Sequence, residues 1–244
     1  MLFFINSTPK AGSTSYYYCA QSLLETYGKA DGLPFLHNAI STGIISGSGY
    51  FVDSTDNSSI SMESLQYLID LSKHHGDILV KIHSDTNIHL LNALNQGSIK
   101  MVFLQRDPRD VVISAMDHAH RSITEGSQQF TDCLTMTGAV GMSTFWSEVA
   151  LRWKRSNATL IVKYEDFSSD STAELKRLAL YLGYDPNSNL FLNVECGKRN
   201  DIPFSASRIN KAIGTRWRLD DSAKFLRNLP YLNHISNLLG YSSP

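Results

Sequence analysis

Four short apolar runs, separated by segments with helical spacing, constrain the fold of this chain more than any other feature. They are residues 2–5, 77–82, 100–104 and 159–162. Short continuous apolar runs are typical of strands that are buried on both faces of a parallel sheet. Because helical patterns lie between them, the alternation predicts an α/β fold in which helices flank a central parallel sheet.

The segments between and after these runs contain the expected helices. They are residues 13–27, 61–71, 86–95, 108–116, 141–155, 172–183, 222–229 and 232–239. Residues 32–61 are rich in Gly, Ser and Asn and irregular, which is typical of lids and binding loops, and residues 187–218 are ambiguous. No repeat or linker divides the chain, so a single domain over residues 1–244 is expected.

Charge and cysteine content narrow the class of protein. The chain has 22 Lys and Arg against 23 Asp and Glu, so no broad basic face for nucleic acid is expected and any anion site must be local. Cys19, Cys133 and Cys196 are too widely spaced for a metal site or a disulfide framework, which favours a reducing compartment and a cytoplasmic location. No apolar segment approaches the length of a membrane span.

The loop of residues 6–12 leaves the first strand at the carboxyl edge of the sheet, where parallel sheets bind ligands. The helix that follows presents N–H groups that favour anions, Gly12 permits close approach, and Lys10 adds a mobile charge. A capped helix with an exposed lysine explains this loop equally well. The loop has no second glycine followed by Lys and Ser or Thr, and no acidic residue ends a strand as a magnesium ligand, which disfavours a kinase.

A second stretch, KMVFLQRDPRDVVISAMDH at residues 100–118, places a cation at the same edge. The apolar strand ends beside Arg106, and Asp107 can cap a helix that has Pro108 in its first position. Ser114 lies two turns into that helix. A well-capped helix with its next Arg and Asp in solvent accounts for the cap and the proline, but not for an arginine at the end of an apolar strand.

These two stretches resemble the sulfotransferases that use 3′-phosphoadenosine 5′-phosphosulfate (PAPS). The family's first motif, roughly Pro-Lys-Ser-Gly-Thr-Thr, is similar to Pro9, Lys10, Ala11, Gly12, Ser13 and Thr14. Its second motif, Arg-Asn/Asp-Pro-Arg/Lys-Asp-Val with a serine eight residues after the first arginine, matches residues 106–111 and Ser114. The resemblance implies a three-layer α/β/α fold like that of P-loop nucleotide hydrolases. It also implies that the first motif holds the 5′-phosphosulfate and that Arg106 and Ser114 hold the 3′-phosphate.

Two further stretches fit the family pattern. LVKIHSD at residues 79–85 places Lys81 and His83 like the Lys-x-His of cytosolic members, and LIVKYEDF at residues 160–167 implies that Tyr164 lies near the nucleotide base. Two departures matter. The aromatic residue that often follows the first motif is Ser15 here, which leaves adenine stacking to another residue such as Tyr16. The C-terminal Arg-Lys-Gly-x-x-Gly loop has no match in spacing, and its nearest candidates for phosphate contacts are Arg208 and Lys211.

The resemblance implies in-line sulfuryl transfer from PAPS to a hydroxyl or amine, without a metal. Neutral His83 would be the base, Lys10 would follow charge on the leaving oxygen, and Lys81 would neutralise the sulfuryl oxygens. Glu25 is a spare base candidate. The acceptor would be a small molecule, a lipid or a carbohydrate. Residues 32–61 and 117–142 would shape its binding site. A P-loop small-molecule kinase and a non-catalytic nucleotide- or glycan-binding relative remain alternatives, and the oligomeric state is open.

Overall fold

The computed structural model describes residues 1–48, 51–52, 60–194, 216–219 and 221–241. Its strands are β1 (Leu2–Ser7), β2 (Gly47–Ser48), β3 (Phe51–Val52), β4 (Ile78–Ile82), β5 (Ile99–Gln105) and β6 (Thr159–Lys163). The four apolar runs of the sequence correspond to β1, β4, β5 and β6. The prediction of four buried strands is confirmed, and β2 and β3 are additional two-residue strands.

The sheet has the order β2-β3-β4-β1-β5-β6 in the described part of the chain. From β3 to β6 all neighbouring strands are parallel, and only β2 pairs antiparallel with its neighbour. Every residue of β1 is buried. Such complete burial is the physical reason why the central strands appear in the sequence as continuous apolar runs rather than as alternating patterns.

Helices occupy both faces of the sheet. In chain order they are α1 (Ser13–Thr26), α2 (Leu33–Ser41), α3 (Met62–His75), α4 (Ile88–Asn95), α5 (Pro108–Thr124), α6 (Met136–Lys154), α7 (Tyr164–Ser169), α8 (Ser171–Leu182), α9 (Arg216–Leu219) and α10 (Pro230–Leu238). Short 3₁₀ helices lie at Thr131–Leu134, Asn189–Asn193 and Asp221–Asn228.

Two apolar cores enclose the sheet. On one face, α1 and α8 contribute residues such as Leu23 and Leu178; on the other, α3, α4 and α6 contribute residues such as Leu68, Leu90 and Trp153. Helices therefore cover both faces, and the expected three-layer α/β/α sandwich around a parallel sheet is confirmed.

Several helix boundaries differ from the sequence prediction. The segment predicted to be irregular contains α2, which buries Leu33, Leu36 and Ala39 although its flanks are rich in Gly and Ser. Helix α5 continues to Thr124 instead of ending at residue 116, α6 begins at Met136 rather than at residue 141, and α7 was not predicted. Residues 221–228 form a 3₁₀ helix rather than an α-helix.

The cysteines also differ from expectation. Cys133 is buried and free, whereas Cys19 on α1 forms a disulfide. The expectation of no disulfide is therefore wrong. The cysteine argument for a reducing compartment no longer applies, since disulfides persist mainly in oxidising surroundings.

Candidate active site

The ends of four neighbouring strands bring the expected site residues to one edge of the sheet. In the register of the sheet, Asn6 lies beside Ile82, and Gln105 lies beside Lys163. The next residues along these strands are Ser7 beside His83 and Arg106 beside Tyr164. Because β4, β1, β5 and β6 are adjacent in this order, four sequence stretches that are far apart in the chain converge at this edge.

The loop between β1 and α1 is a tight turn. Lys10 and Gly12 have φ values of 69° and 76°, and the amide of Ala11 donates to the carbonyl of Thr8 at 3.1 Å. Successive N–H groups in such left-handed turns point inward and form concave sites for anions. Gly12, the N-cap of α1, has no side chain, and the first turn has no acidic residue. Both features leave the helix end suited to a negative charge.

Gly12 is required by its contacts as well as by its backbone angle. A Cβ atom at this position would lie 2.7 Å from Cδ2 and Cε2 of Tyr164. The ring of Tyr164 is buried and lies directly against the loop. The tyrosine after β6 therefore contributes to the shape of this loop, a contact that the motif pattern did not indicate.

We expect Gly12→Ala to lower the free energy of unfolding more than Gly28→Ala does. Both glycines have positive φ, but a Cβ at Gly28 would have no atom within 4 Å. Left-handed strain costs about 1–2 kcal/mol at either position, and the contact with Tyr164 adds about 1–3 kcal/mol only at Gly12. Urea denaturation of both variants measures the difference, and equal losses would contradict the proposed contact.

Arg106 connects the end of β5 to this loop. Its Nη1 donates to the carbonyl of Lys10 at 3.1 Å, and its Cζ lies 4.3 Å from the ring centroid of Tyr164. Arg106 is only 5% exposed, and Ser114 on α5 is buried as well. The structure thus brings Arg106, Lys10, Gly12 and Tyr164 into direct contact around the loop.

The next residues of the same motif are buried rather than in solvent. Arg109 donates from Nε and Nη2 to the two carboxylate oxygens of Asp107, at 2.9 and 2.8 Å. Its Cζ lies 3.8 Å from the ring centroid of Trp217, whose Nε1 donates to Asp107 and whose backbone N donates to Asp110. A buried ion pair is tolerated when it is bidentate and fully hydrogen-bonded. This cluster joins the first turn of α5 to α9.

His83 is oriented by the end of β1. Its Nδ1 lies 2.9 Å from the carbonyl oxygen of Ser7 and 3.1 Å from the Ser7 hydroxyl. Only a protonated Nδ1 can donate to a carbonyl, so this bond favours the tautomer whose lone pair is on Nε2. A neutral imidazole in this tautomer can accept a proton at Nε2.

The electrostatic surroundings keep His83 neutral. Burial lowers the pKa of His83 to about 3, and the positive charges of Lys81 and Lys10 add to this effect, while the bond to Ser7 opposes it. Both lysines therefore act electrostatically on the histidine. Protonation of His83 in the neutral pH range is disfavoured.

The loop after His83 is fixed from two sides. The carbonyl of Ser84 accepts from Asn6 Nδ2 at 2.8 Å and from Trp153 Nε1 at 3.0 Å. The carboxylate of Asp85 accepts two bonds from the guanidinium of Arg152, at 2.8 and 2.6 Å. Helix α6 and strand β1 thus determine the position of the backbone that carries the histidine.

Aromatic residues from outside the sequence motifs lie beside these groups. Trp146 meets His83 edge to face at a centroid distance of 5.9 Å, and Phe145 meets Trp146 in the same way at 5.5 Å. The centroid of the Phe130 ring lies 5.9 Å from Nζ of Lys10. Ser7 could have been selected from its place at the end of a strand, but no sequence pattern indicated the aromatic residues.

The remaining candidates divide into three groups. Tyr16, considered for adenine stacking, is fully buried against Phe167, so that suggestion is wrong. Glu25 is exposed near the far end of α1 and accepts a bond from Gln21. Arg208 and Lys211 lie outside the described residues, so their expected contacts stay predictions.

The described residues contain neither a metal-binding cluster nor a membrane-spanning helix. No group of three or more His, Cys, Asp or Glu side chains could hold a metal ion in this part of the chain. None of its helices combines the length and apolar character that crossing a membrane requires.

Solved structures share this architecture. Mouse sulfotransferase SULT7A1 complexed with PAP superimposes with a TM-score of 0.57 and 16% identity, over 99% of this chain and 89% of that one. Retinol dehydratase in complex with androsterone and inactive cofactor PAP gives a TM-score of 0.52 at 17% identity, over 100% of this chain and 82% of that one. At such identities the likeness shows the fold.

Curated sequences match a smaller part. Cytosolic sulfotransferase 14 of Arabidopsis thaliana is 33% identical over 104 residues, which is 38% of this chain and 30% of that protein. Flavonol 4'-sulfotransferase of Flaveria chlorifolia is 31% identical over 99 residues, which is 35% of this chain and 29% of that protein. The match thus spans about a third of the length of these relatives.

The family match covers most of the chain and includes the site residues of all four strand ends. The sulfotransferase domain family matches residues 3–196, from β1 to beyond the 3₁₀ helix at Asn189–Asn193. This range contains the β1–α1 loop, His83, Arg106 and Tyr164. The chain therefore belongs to the sulfotransferase domain family.

Proposed function

We propose that the protein transfers the sulfuryl group of PAPS to a hydroxyl group of a small-molecule acceptor. The observation that carries this proposal is the hydrogen bond from Arg106 to the Lys10 carbonyl, at 3.1 Å. It joins the two motifs expected to hold the two ends of the nucleotide. His83 lies beside the same loop through its bond to Ser7. The proposed base, the Lys10 cation and the proposed anion-binding turn are thus adjacent.

The donor set suits a ligand with two separated anionic groups. The 5′-phosphosulfate would bind the N–H groups of residues 10–14 together with the Lys10 ammonium, the Ser13 and Thr14 hydroxyls and the start of α1. The 3′-phosphate would bind Arg106 and Ser114. Both residues are almost fully buried, where a charge-assisted bond is stronger than in water. Arg208 and Lys211 remain proposed contacts to that phosphate.

Three side chains would share the chemical work. The acceptor oxygen would form a bond to sulfur while the bond from sulfur to the 5′-phosphate oxygen breaks and its electron pair goes to that oxygen. His83 Nε2 would take the acceptor proton, and Lys10 would stabilise the charge that appears on the departing phosphate. Lys81, whose charge acts on His83, would neutralise the sulfuryl oxygens. In addition to these three contributions, the site must hold the acceptor oxygen in line with the sulfur–oxygen bond that breaks.

Two similar proteins support a class of acceptor for the proposed reaction. They are a flavonol sulfotransferase and a retinol dehydratase with a bound steroid, which supports a small hydroxylated molecule; lipids and carbohydrates remain within the proposal. We also propose that residues 1–244 form one domain, since α10 contributes Ile235 to the core shared with α6. A cytoplasmic location stays a prediction: two relatives named as cytosolic favour it, and the Cys19 disulfide does not.

Labelled PAPS tests the proposed reaction. We expect label to pass to phenols or alcohols in an acceptor panel, with PAP released in equal amount and with no loss of rate in EDTA. A strict magnesium requirement with ATP as the donor would instead favour the kinase alternative. Tight binding of PAP without turnover on any acceptor would favour a non-catalytic relative.

We expect Arg106→Ala to weaken PAP binding by about tenfold or more. A charge-assisted hydrogen bond at a buried site contributes about 1.5–3 kcal/mol, and 1.4 kcal/mol corresponds to a factor of ten. Because Arg106 also contacts the Lys10 carbonyl, the control is adenosine 5′-phosphosulfate, which lacks the 3′-phosphate but uses the same loop. Calorimetry that finds equal losses for both ligands would contradict the assignment of Arg106 to the 3′-phosphate.

A further inference from the structure

We propose that Phe130 is a positioning residue for Lys10, and that the face of its ring holds the lysine ammonium beside the β1–α1 loop. This proposal rests on the proposed function, in which Lys10 stabilises the departing phosphate. It adds a residue from the segment after α5, which lies outside both sequence motifs.

The first observation is backbone strain confined to two residues. Among the residues that the structure describes, Lys10 and Phe130 are the only non-glycine residues with positive φ, at 69° and 60°. Large side chains rarely adopt this conformation, and such strain persists only where surrounding contacts impose it, most often at functional sites. The two strained residues are 120 positions apart in sequence, yet their side chains meet.

The second observation is the contact itself. Nζ of Lys10 lies 5.9 Å from the centroid of the Phe130 ring, within the range in which an ammonium is attracted to an aromatic face. The same lysine contributes to the lowered pKa of His83. The ammonium therefore lies over the ring of Phe130 and also acts electrostatically on the proposed base.

The third observation is that Phe130 is itself held in place. Its carbonyl accepts from the amide of Cys133 at 2.8 Å, and the carbonyl of Gln129 accepts from the Ser122 hydroxyl at 2.7 Å. Its ring meets the His118 ring edge to face at 5.1 Å and packs against the cluster between α5 and α6. Contacts from several sides fix the ring, which can then restrict the flexible lysine.

Restricting the position of the Lys10 ammonium should affect kcat more than it affects the affinity for PAP. Lysine has four rotatable side-chain bonds and loses considerable freedom when it must occupy one position in the transition state. A ring that restricts the ammonium beforehand lowers that cost, so its loss should reduce kcat while PAP affinity changes little. The aromatic face attracts the cation without neutralising it, unlike a carboxylate.

A double-mutant cycle on kcat is the central experiment. Phe130→Leu keeps a bulky apolar side chain at the strained position but removes the aromatic face, and Phe130→Tyr keeps the face. We expect Phe130→Leu to lower kcat about fivefold, from a cation–π energy of about 1 kcal/mol, and Phe130→Tyr to stay within about twofold. In Lys10→Ala protein, Phe130→Leu should cause no further loss, because the effect passes through Lys10.

A second readout needs no turnover. Reductive ¹³C-methylation gives each lysine ammonium an NMR signal, and Lys10→Arg identifies the signal of Lys10. A ring face should shift this signal upfield in the wild type and in Phe130→Tyr, and the shift should disappear in Phe130→Leu. Thermal unfolding of each variant checks that the fold is intact.

The outcomes separate this proposal from the proposed function. An upfield Lys10 signal that depends on Phe130, together with coupled losses of kcat, supports the positioning role. The same signal in a protein that never turns over PAPS supports the contact but rejects the proposed function. An unshifted Lys10 signal, or additive losses in the cycle while the wild type turns over, overturns the positioning role and leaves the proposed function intact.

Discussion

The His83→Asn variant should bind PAP nearly as well as the wild type and lose about 10²–10⁴-fold in kcat. Asparagine can still donate to the Ser7 carbonyl, but it cannot accept a proton as imidazole Nε2 can. His89→Asn, at an exposed position on α4, is the matched control and should change neither quantity. Turnover per folded molecule, measured beside calorimetry with PAP, provides the comparison. Normal turnover by folded His83→Asn protein would remove His83 from the mechanism.

The pH dependence provides a second test of His83. Because its pKa is lowered to about 3, the neutral base is present throughout the neutral range, and kcat should show no acid limb from His83 near the ordinary histidine value of 6.5. Between a pH of about 3 and a pH of 6.5, this histidine is protonated in the unfolded chain but neutral in the native protein. The stability of the native protein should therefore fall as pH decreases below 6.5, and His83→Asn should reduce that dependence. An unchanged dependence in thermal unfolding would contradict the lowered pKa.

Lys10→Ala should reduce kcat by about 10²–10³-fold, the usual cost of removing one group that stabilises developing oxyanion charge. Its effect on PAP affinity should be much smaller, since the ammonium would act most strongly as the bond to sulfur breaks. Lys29→Ala, an exposed lysine beyond α1, is the control for a lost surface charge. Single-turnover rates with saturating PAPS isolate the chemical step.

If Lys10→Ala lowered PAP affinity and the rate of transfer by similar factors, Lys10 would bind the ground state and the transition state equally well. The structure gives a reason to expect the unequal result. The Lys10 ammonium lies over the ring of Phe130, while the backbone of the turn provides the N–H groups that would hold the anion in every state.

The sequence motifs predicted the strand-end residues because their positions follow from local patterns. An apolar run that ends in Arg106 or His83 identifies a buried strand and its carboxyl end, and parallel strands bring such ends to one edge. The helix of residues 33–41 was missed because its flanks are rich in Gly and Ser, although Leu36 is fully buried. The prediction gave more weight to the Gly- and Ser-rich flanks than to the helical spacing of the apolar residues between them.

Contacts between distant segments were not predictable in the same way. Arg109 has the sequence context of a solvent-facing residue in a capped helix, yet it is buried because Trp217, 108 positions later, covers it. Gly12 was expected to approach an anion, and the structure adds a close contact with Tyr164. A pattern that spans a few residues contains no information on which distant ring will pack there.

The sequence by itself determined the layered α/β architecture and the edge of the sheet that bears the candidate site, because both depend on strand burial and chain direction. Only the tertiary structure decided the state of the groups at that edge. The bond to Ser7 selects the tautomer of His83, burial and the nearby lysines lower its pKa, and the ring of Phe130 contacts Lys10. These properties depend on distances between segments remote in the chain, which are established only when the sheet and its helices pack together.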